Sequence, residues 1–155
     1  MKFRIIAVGQ RPPDWVVAGF ADYARRLPRE VALRLSEIPV APRKELPVAR
    51  ARRQEGERIL GELTSRDWVV ALDVEGRSIT TEGLAQKVTG WQMHGRDVAF
   101  LIGGPDGLDA ACLERADERL SLSALTFPHG LVRVMLAEQL YRAWTLHSGH
   151  PYHRA

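Results

Sequence analysis

Leu120-Ser121-Leu122-Ser123-Ala124-Leu125-Thr126-Phe127-Pro128-His129-Gly130 is the stretch that decides how this chain folds. It begins with apolar–polar alternation that suits a strand and passes through a proline-containing turn. It then runs into helical periodicity of Leu, Val, Met, Ala, Tyr and Trp as far as His147. A ligand at such a junction meets a strand end and a helix N-terminus together, which is where open α/β sheets bind.

Upstream of that junction the chain alternates. Lys2 to Val8 reads as a strand closed by Gly9. Asp14 then suits the cap of a helix with the stripe Trp15, Gly19, Tyr23 and Leu27, Val16 and Phe20 beside it, and Pro28 as its stop. Val31 to Ile38 predicts a second strand, broken by Pro39 and Pro42. Trp68 to Asp73 and Val98 to Ile102 are continuous apolar runs of the kind found in central parallel strands. A helix carrying Leu84, Val88 and Trp91 lies between them, and another passes through Cys112 and Ala116. Strands separated by helices predict an α/β fold with a parallel sheet and right-handed crossovers.

With 155 residues, 45% of them hydrophobic, and no linker-like stretch, residues 1–155 are expected to form one domain. A single cysteine, Cys112, excludes an intrachain disulfide and any multi-cysteine metal site. Ile5-Ile6-Ala7-Val8 is too short for a signal-peptide core or a membrane span, so a cytoplasmic protein without a membrane partner is expected. The net charge of +3 permits an anionic partner such as RNA without requiring one. Residues Pro42 to Arg58 carry six basic side chains among Glu45, Glu55 and Glu57. They read either as a solvated helix face or as a phosphate-contacting arm.

The chemistry concentrates near the C-terminus. Gly103-Gly104-Pro105-Asp106-Gly107 leaves a buried strand in a tight turn, where a ligand can approach the backbone directly. It has neither the Gly-Lys-Ser/Thr of a phosphate loop nor the glycine spacing of a dinucleotide site, which disfavours nucleotide triphosphates. The small and apolar loop Leu122 to Pro128 suits an adenine ring. Ser121 and Ser123 lack the elbow of a hydrolase nucleophile. His129 begins the long helix and Arg133 follows one turn later, with readings as proton acceptor and cation or as plain structural residues. Arg142 reads as an RNA contact or as the partner of Glu138. A helix apolar most of the way round predicts burial on most sides, either centrally or, as favoured at the end of a small domain, against a second subunit. His147, His150 and His153 recur every third residue, but Gly149 and Pro151 break the helix that would align them, so no metal is expected. A tail of His, Tyr and Arg suits stacking on bases and holding phosphate.

Four motifs then carry a resemblance: Leu101 to Gly107, Leu120 to His129, Tyr141-Arg142-Ala143-Trp144, and the terminal His150-Pro151-Tyr152-His153-Arg154. Together with Val8-Gly9 and Pro13-Asp14-Trp15 they span essentially the whole chain. It resembles the bacterial methyltransferases that modify N3 of a pseudouridine in 23S ribosomal RNA, a branch of the SPOUT superfamily. The resemblance implies a SPOUT-type parallel sheet flanked by helices, with a C-terminal trefoil knot formed by roughly residues 100–155, a feature that general topology rules argue against. It also implies a homodimer and S-adenosyl-L-methionine as cofactor. By position, the cofactor pocket would comprise Leu72, Gly103, Gly104, Leu122, Ser123, Ala124, Leu125, Thr126, Phe127 and Pro128. Tyr152, His153 and Arg154 would reach the RNA, in their own subunit's site or the partner's. Gly130 departs from relatives that carry Pro or Gln there. The substrate would be free RNA or the assembled ribosome, with His129 as base or Arg133 or Arg142 stabilising the N3 anion. Two other classes are a noncatalytic RNA-binding dimer and a hydrolase-like or nucleotide-using enzyme, the latter disfavoured by its missing motifs.

Overall fold

The computed structural model describes residues 1–153, the last of them through its backbone alone. Arg154 and the side chain of His153, both expected at the substrate, lie outside the described residues. Strands and helices alternate along the chain: β1 (Phe3–Val8), α1 (Asp14–Ala24), β2 (Leu33–Ile38), α2 (Val48–Gly61), β3 (Trp68–Ser78), α3 (Thr81–His94), β4 (Val98–Ile102), α4 (Ala110–Arg115), β5 (Glu118–Ser121) and α5 (His129–Ser148).

The five strands form one sheet in the order β2-β1-β4-β3-β5, and every paired edge is parallel. β4 is therefore the middle strand, and all five of its residues are buried, as a continuous apolar run requires. Period-two alternation splits the core in two. Phe3, Ile5, Ala7, Phe100 and Ile102 pack with Leu84, Val88, Trp91, Leu136 and Leu140 on the face covered by α1, α3 and α5. Ile6, Val8, Ala99 and Leu101 pack with Ile59 and Cys112 under α2 and α4 on the other. Cys112 is buried there, and burial together with the nearby Asp109 charge pushes its thiol up to about 11, so it stays protonated.

Local chemistry sets the helix ends. Thr80 Oγ1 accepts from Gly83 N–H at the start of α3, and Asp109 caps α4 through Ala111 N–H. α5 ends at Gly149 with φ +77°, and His150 N–H donates to Thr145 C=O at 2.9 Å in a Schellman closure.

Five expectations change. Asp14 is the first helical residue rather than the cap, a position held by Pro13, which offers no side-chain acceptor. Trp15 is 58% exposed because Val16 takes the inward position, and α1 stops at Ala24, short of Pro28. Residues Arg29–Val31 form a 3-10 turn, so β2 begins at Leu33. β3 continues past Asp73 to Ser78, but Leu72 and Arg77 both pair with Leu120, so residues 73–76 loop out of the ladder. Gly76 permits that bulge: a Cβ there would lie 2.9 Å from backbone atoms of Arg119 and Leu120.

α5 uses much of its apolar girth within the chain. Leu136, Ala137, Leu140 and Ala143 face the sheet, and Val134 approaches Gly19 of α1, where a Cβ would meet it at 3.2 Å. Gln139 accepts from Thr81 of α3.

Candidate functional site

A cleft of about 560 Å³ opens outside the carboxyl ends of β3, β4 and β5, the position favoured in open parallel sheets. That volume lies within the range of small-molecule sites. One wall is the turn after β4 and another is the loop after β5, so the two segments singled out in the sequence meet across a single space. The loop 73–76 bulging from β3 forms a third wall, with Arg52 of α2 at its edge. Sequence reasoning missed this third wall because the bulge is imposed by pairing with β5, not by local residue types.

The glycine turn is built by packing against itself. Gly107 N–H donates to Gly104 C=O at 3.1 Å, and Gly107 has φ +79°. A Cβ on Gly103 would lie 2.4 Å from the carbonyl carbon of Gly107, and one on Gly104 would meet Val8 Cγ1 at 2.8 Å. Gly103 is thus demanded by the turn's interior and Gly104 by its packing on Val8, although both line the cleft. A buried carboxylate holds the turn to α2. Glu55, 2% exposed, accepts from Ala41 N–H at 2.9 Å and is chelated by Arg43, which also reaches Asp106 Oδ2 at 3.0 Å. The hydrogen bond to Glu55, opposed by burial, raises the Arg43 pKa above its ordinary value and keeps the guanidinium charged. Arg43 is therefore a structural tie within the basic stretch, whereas Arg50 and Arg53 are exposed.

The loop after β5 shapes itself. Ser121 Oγ donates to Ser123 C=O, and Ser123 Oγ accepts from Leu125 N–H, each at 3.0 Å. Both hydroxyls are spent on loop geometry, in keeping with the missing nucleophile elbow. Leu72, Gly103, Gly104, Leu122, Ser123, Leu125, Thr126, Phe127 and Pro128 all line the cleft, and Ala124 is not among its lining residues.

The candidate catalytic residues separate. His129, first residue of α5, is exposed and lines the cleft. Its Nε2 would lie 3.5 Å from a Cβ at Gly9, which places the ring beside the end of β1. Arg133 is 1% exposed: Nη1 pairs with Glu37 Oε2 at 2.6 Å and Nη2 donates to Gly9 C=O at 2.7 Å. It ties α5 to β1 and β2 and is not presented to a substrate. Arg142 pairs with Glu138 at 2.7 Å, and 13 residues of helix put it about 20 Å from His129. Tyr152 stacks there too, 4.6 Å from the Tyr141 ring with the Arg142 guanidinium 5.1 Å away. Arg142 and Tyr152 thus lie away from the cleft of their own chain. His147 Nδ1 contacts Thr89 Oγ1 at 2.9 Å, and no metal-ligand cluster occurs among the described residues.

The apolar lining from Leu72, Ile102, Leu122 and Phe127, with exposed backbone groups on two loops, fits an adenosyl group. Asp73, Glu75, Asp106 and Arg52 supply charge at the rim for the polar end of such a ligand. No helix of the described residues is long and apolar enough to cross a membrane.

Comparison with known proteins agrees with this geometry. A solved structure described as a probable methylase family protein from Haemophilus influenzae Rd KW20 superposes with a TM-score of 0.59. It covers 99% of this chain and 70% of its own at 13% identity, so the likeness concerns the fold. Proteins named Ribosomal RNA large subunit methyltransferase H from Hahella chejuensis and Saccharophagus degradans are each 54% identical over 155 residues. The match covers 99% of this chain and 99% and 100% of theirs. The family described as Predicted SPOUT methyltransferase matches residues 1–153, and this chain belongs to the SPOUT methyltransferase family.

Proposed function

We propose that this chain uses S-adenosyl-L-methionine to methylate N3 of a pseudouridine in 23S ribosomal RNA, as a cytoplasmic homodimer acting on the assembled ribosome. The observation that carries the reading is the meeting of the Gly103–Gly107 turn and the Leu122–Pro128 loop across one cleft with His129 at its edge. The relatives named as large-subunit ribosomal RNA methyltransferases, 54% identical over nearly their whole length, support the RNA substrate.

When bound, the cofactor supplies a methyl group already activated as a sulfonium, so the protein chiefly orients the acceptor and excludes water. Leu122 and Phe127 provide the dry wall. N3–H lies between two carbonyls and must lose its proton as the new bond forms. We assign that role to His129, and its exposure at the cleft supports the assignment. Arg133 acts by positioning, because its charge is matched by Glu37 and its second amino group is held by Gly9. Arg142 and Tyr152 lie at the opposite end of α5, which supports their serving the partner's cleft in a dimer, with His153 and Arg154 following them. The half-buried Leu131, Met135 and Leu146 leave α5 apolar surface for that contact. We also take roughly residues 100–155 to be knotted, a reading supported by the return of the loop after β5 to the turn after β4.

The test is mass spectrometry of 23S ribosomal RNA from cells lacking this protein. The reading predicts one methyl group missing from one pseudouridine and restored by the intact gene. An unchanged methylation pattern would contradict it.

A further inference from the structure

Among the described residues, Arg52 is the only arginine or lysine that lines the cleft. Its situation differs from that of Arg43, whose guanidinium is fully engaged by Glu55 and Asp106. Arg52 makes no ion pair among the described residues. Its Nη1 reaches only the Asp106 carbonyl oxygen, at 3.4 Å, and its Nε is buried with no acceptor. The neighbouring Asp106 carboxylate cannot complete it, because that group is turned toward Arg43. A guanidinium with no ion pair at the wall of a ligand cleft can pair with an anionic group from outside the chain.

The cleft also says which anion. Asp73 and Glu75 line the same cleft and offer acceptors to a cationic group, while Asp106 is already paired with Arg43. A zwitterion fits, with one carboxylate for the guanidinium and one ammonium for the acidic rim. Resting on the reading of the cleft given above, we propose that Arg52 binds the α-carboxylate at the methionyl end of S-adenosyl-L-methionine. The planar fork of the guanidinium matches a carboxylate in a way an ammonium does not. α2 sets its position, and the Arg43–Glu55–Asp106 tie keeps the glycine turn in register with it.

The test is calorimetric binding of S-adenosylmethionine and decarboxylated S-adenosylmethionine, which differ only in that carboxylate, to the full-length protein and to Arg52→Ala and Arg52→Lys. Wild-type protein should prefer the carboxylated ligand by about 10- to 100-fold. Arg52→Ala should bind the two alike, with unchanged affinity for the decarboxylated one, and Arg52→Lys should recover part of the preference. A preference that persists in Arg52→Ala, or equal weakening toward both ligands, overturns the proposal. Should Arg52→Ala not fold, Arg52→Lys and the wild-type ligand pair decide, and absence of a wild-type preference overturns it as well. If wild-type protein binds neither ligand, the methyltransferase reading fails together with this one.

Discussion

Arg133 Nη2 donates to the carbonyl oxygen of Gly9 at 2.7 Å, joining residues 124 positions apart in sequence. With the ion pair to Glu37, this contact pins the first turns of α5 to the ends of β1 and β2 and so fixes where His129 stands. Gly9, at φ +125°, leaves the room required, since a Cβ would lie 3.2 Å from that same nitrogen. Removing the guanidinium strands a carbonyl and a carboxylate. Arg133→Met is expected to lose about 3 kcal/mol of stability in chemical denaturation, with Arg133→Lys recovering part of it. A loss below measurement error would refute the tie.

The glycine turn offers a contrast between two positions. Gly103→Ala drives a Cβ into the Gly107 carbonyl carbon, 2.4 Å away, so the turn must open. Calorimetry should show cofactor affinity falling more than about tenfold, roughly the effect of losing one well-made contact. Gly107→Ala meets nothing within 4 Å and should cost only about 1 kcal/mol for its left-handed backbone, with affinity near wild type. Equal losses at the two positions would mean that backbone freedom, not interior packing, is what the turn requires.

Beyond its ladder with β3, β5 is tied to β3 and α3 by the carboxylate of Glu118. Glu118 accepts from Trp68 Nε1 at 2.6 Å and Trp91 Nε1 at 3.0 Å and pairs with Lys87. Burial alone would raise its pKa, but the hydrogen bonds from Lys87, Trp68 and Trp91 outweigh that and hold the carboxyl below its ordinary value. A depressed folded pKa stabilises above the unfolded value and is lost as pH falls through the folded one. Stability should therefore decline from about pH 5 downward. Glu118→Gln should be about 2 kcal/mol less stable at pH 7 and show a flatter decline in acid, read from urea midpoints over a pH series. A decline as steep as wild type would contradict this assignment.

Separation of His129 from Arg142 by about 20 Å of helix makes the tail's role testable by mixing subunits. A His129→Ala chain and a chain lacking residues 151–155 should each be poorly active as homodimers. If the tail serves the partner's cleft, mixed dimers should regain up to about half the activity at one of their two sites. Mixed dimers no more active than either parent would mean that both elements must work in one subunit.

His129 itself is tested by pH. If it accepts the N3 proton, His129→Ala should remove the low-pH limb of the rate profile. An unchanged profile would exclude it from proton transfer.

Much of this was legible because it is local. The apolar runs of β3 and β4, the glycine turn and the start of α5 at His129 are written in consecutive residues. Strand order was not, since nothing near Val98 says that β4 inserts between β1 and β3. Arg133 was read as a possible substrate contact because its burial depends on Glu37 and Gly9, which belong to distant strands. Glu118 passed unnoticed, and Glu55 was read only as one acid among basic neighbours, for the same reason: their partners, Trp68, Trp91 and Lys87 or Arg43 and Ala41, are assembled only by the fold. The Leu122–Pro128 loop was legible as a pocket wall from its small and apolar residues, and Ala124 is its one member that is not among the residues lining the cleft.

The most direct measurement is transfer of labelled methyl from S-adenosylmethionine by the purified protein to ribosomes from cells lacking it, followed by digestion of the RNA to nucleosides. The account predicts label in 3-methylpseudouridine alone, at one position of 23S ribosomal RNA. No transfer, or label in any other nucleoside, would contradict it.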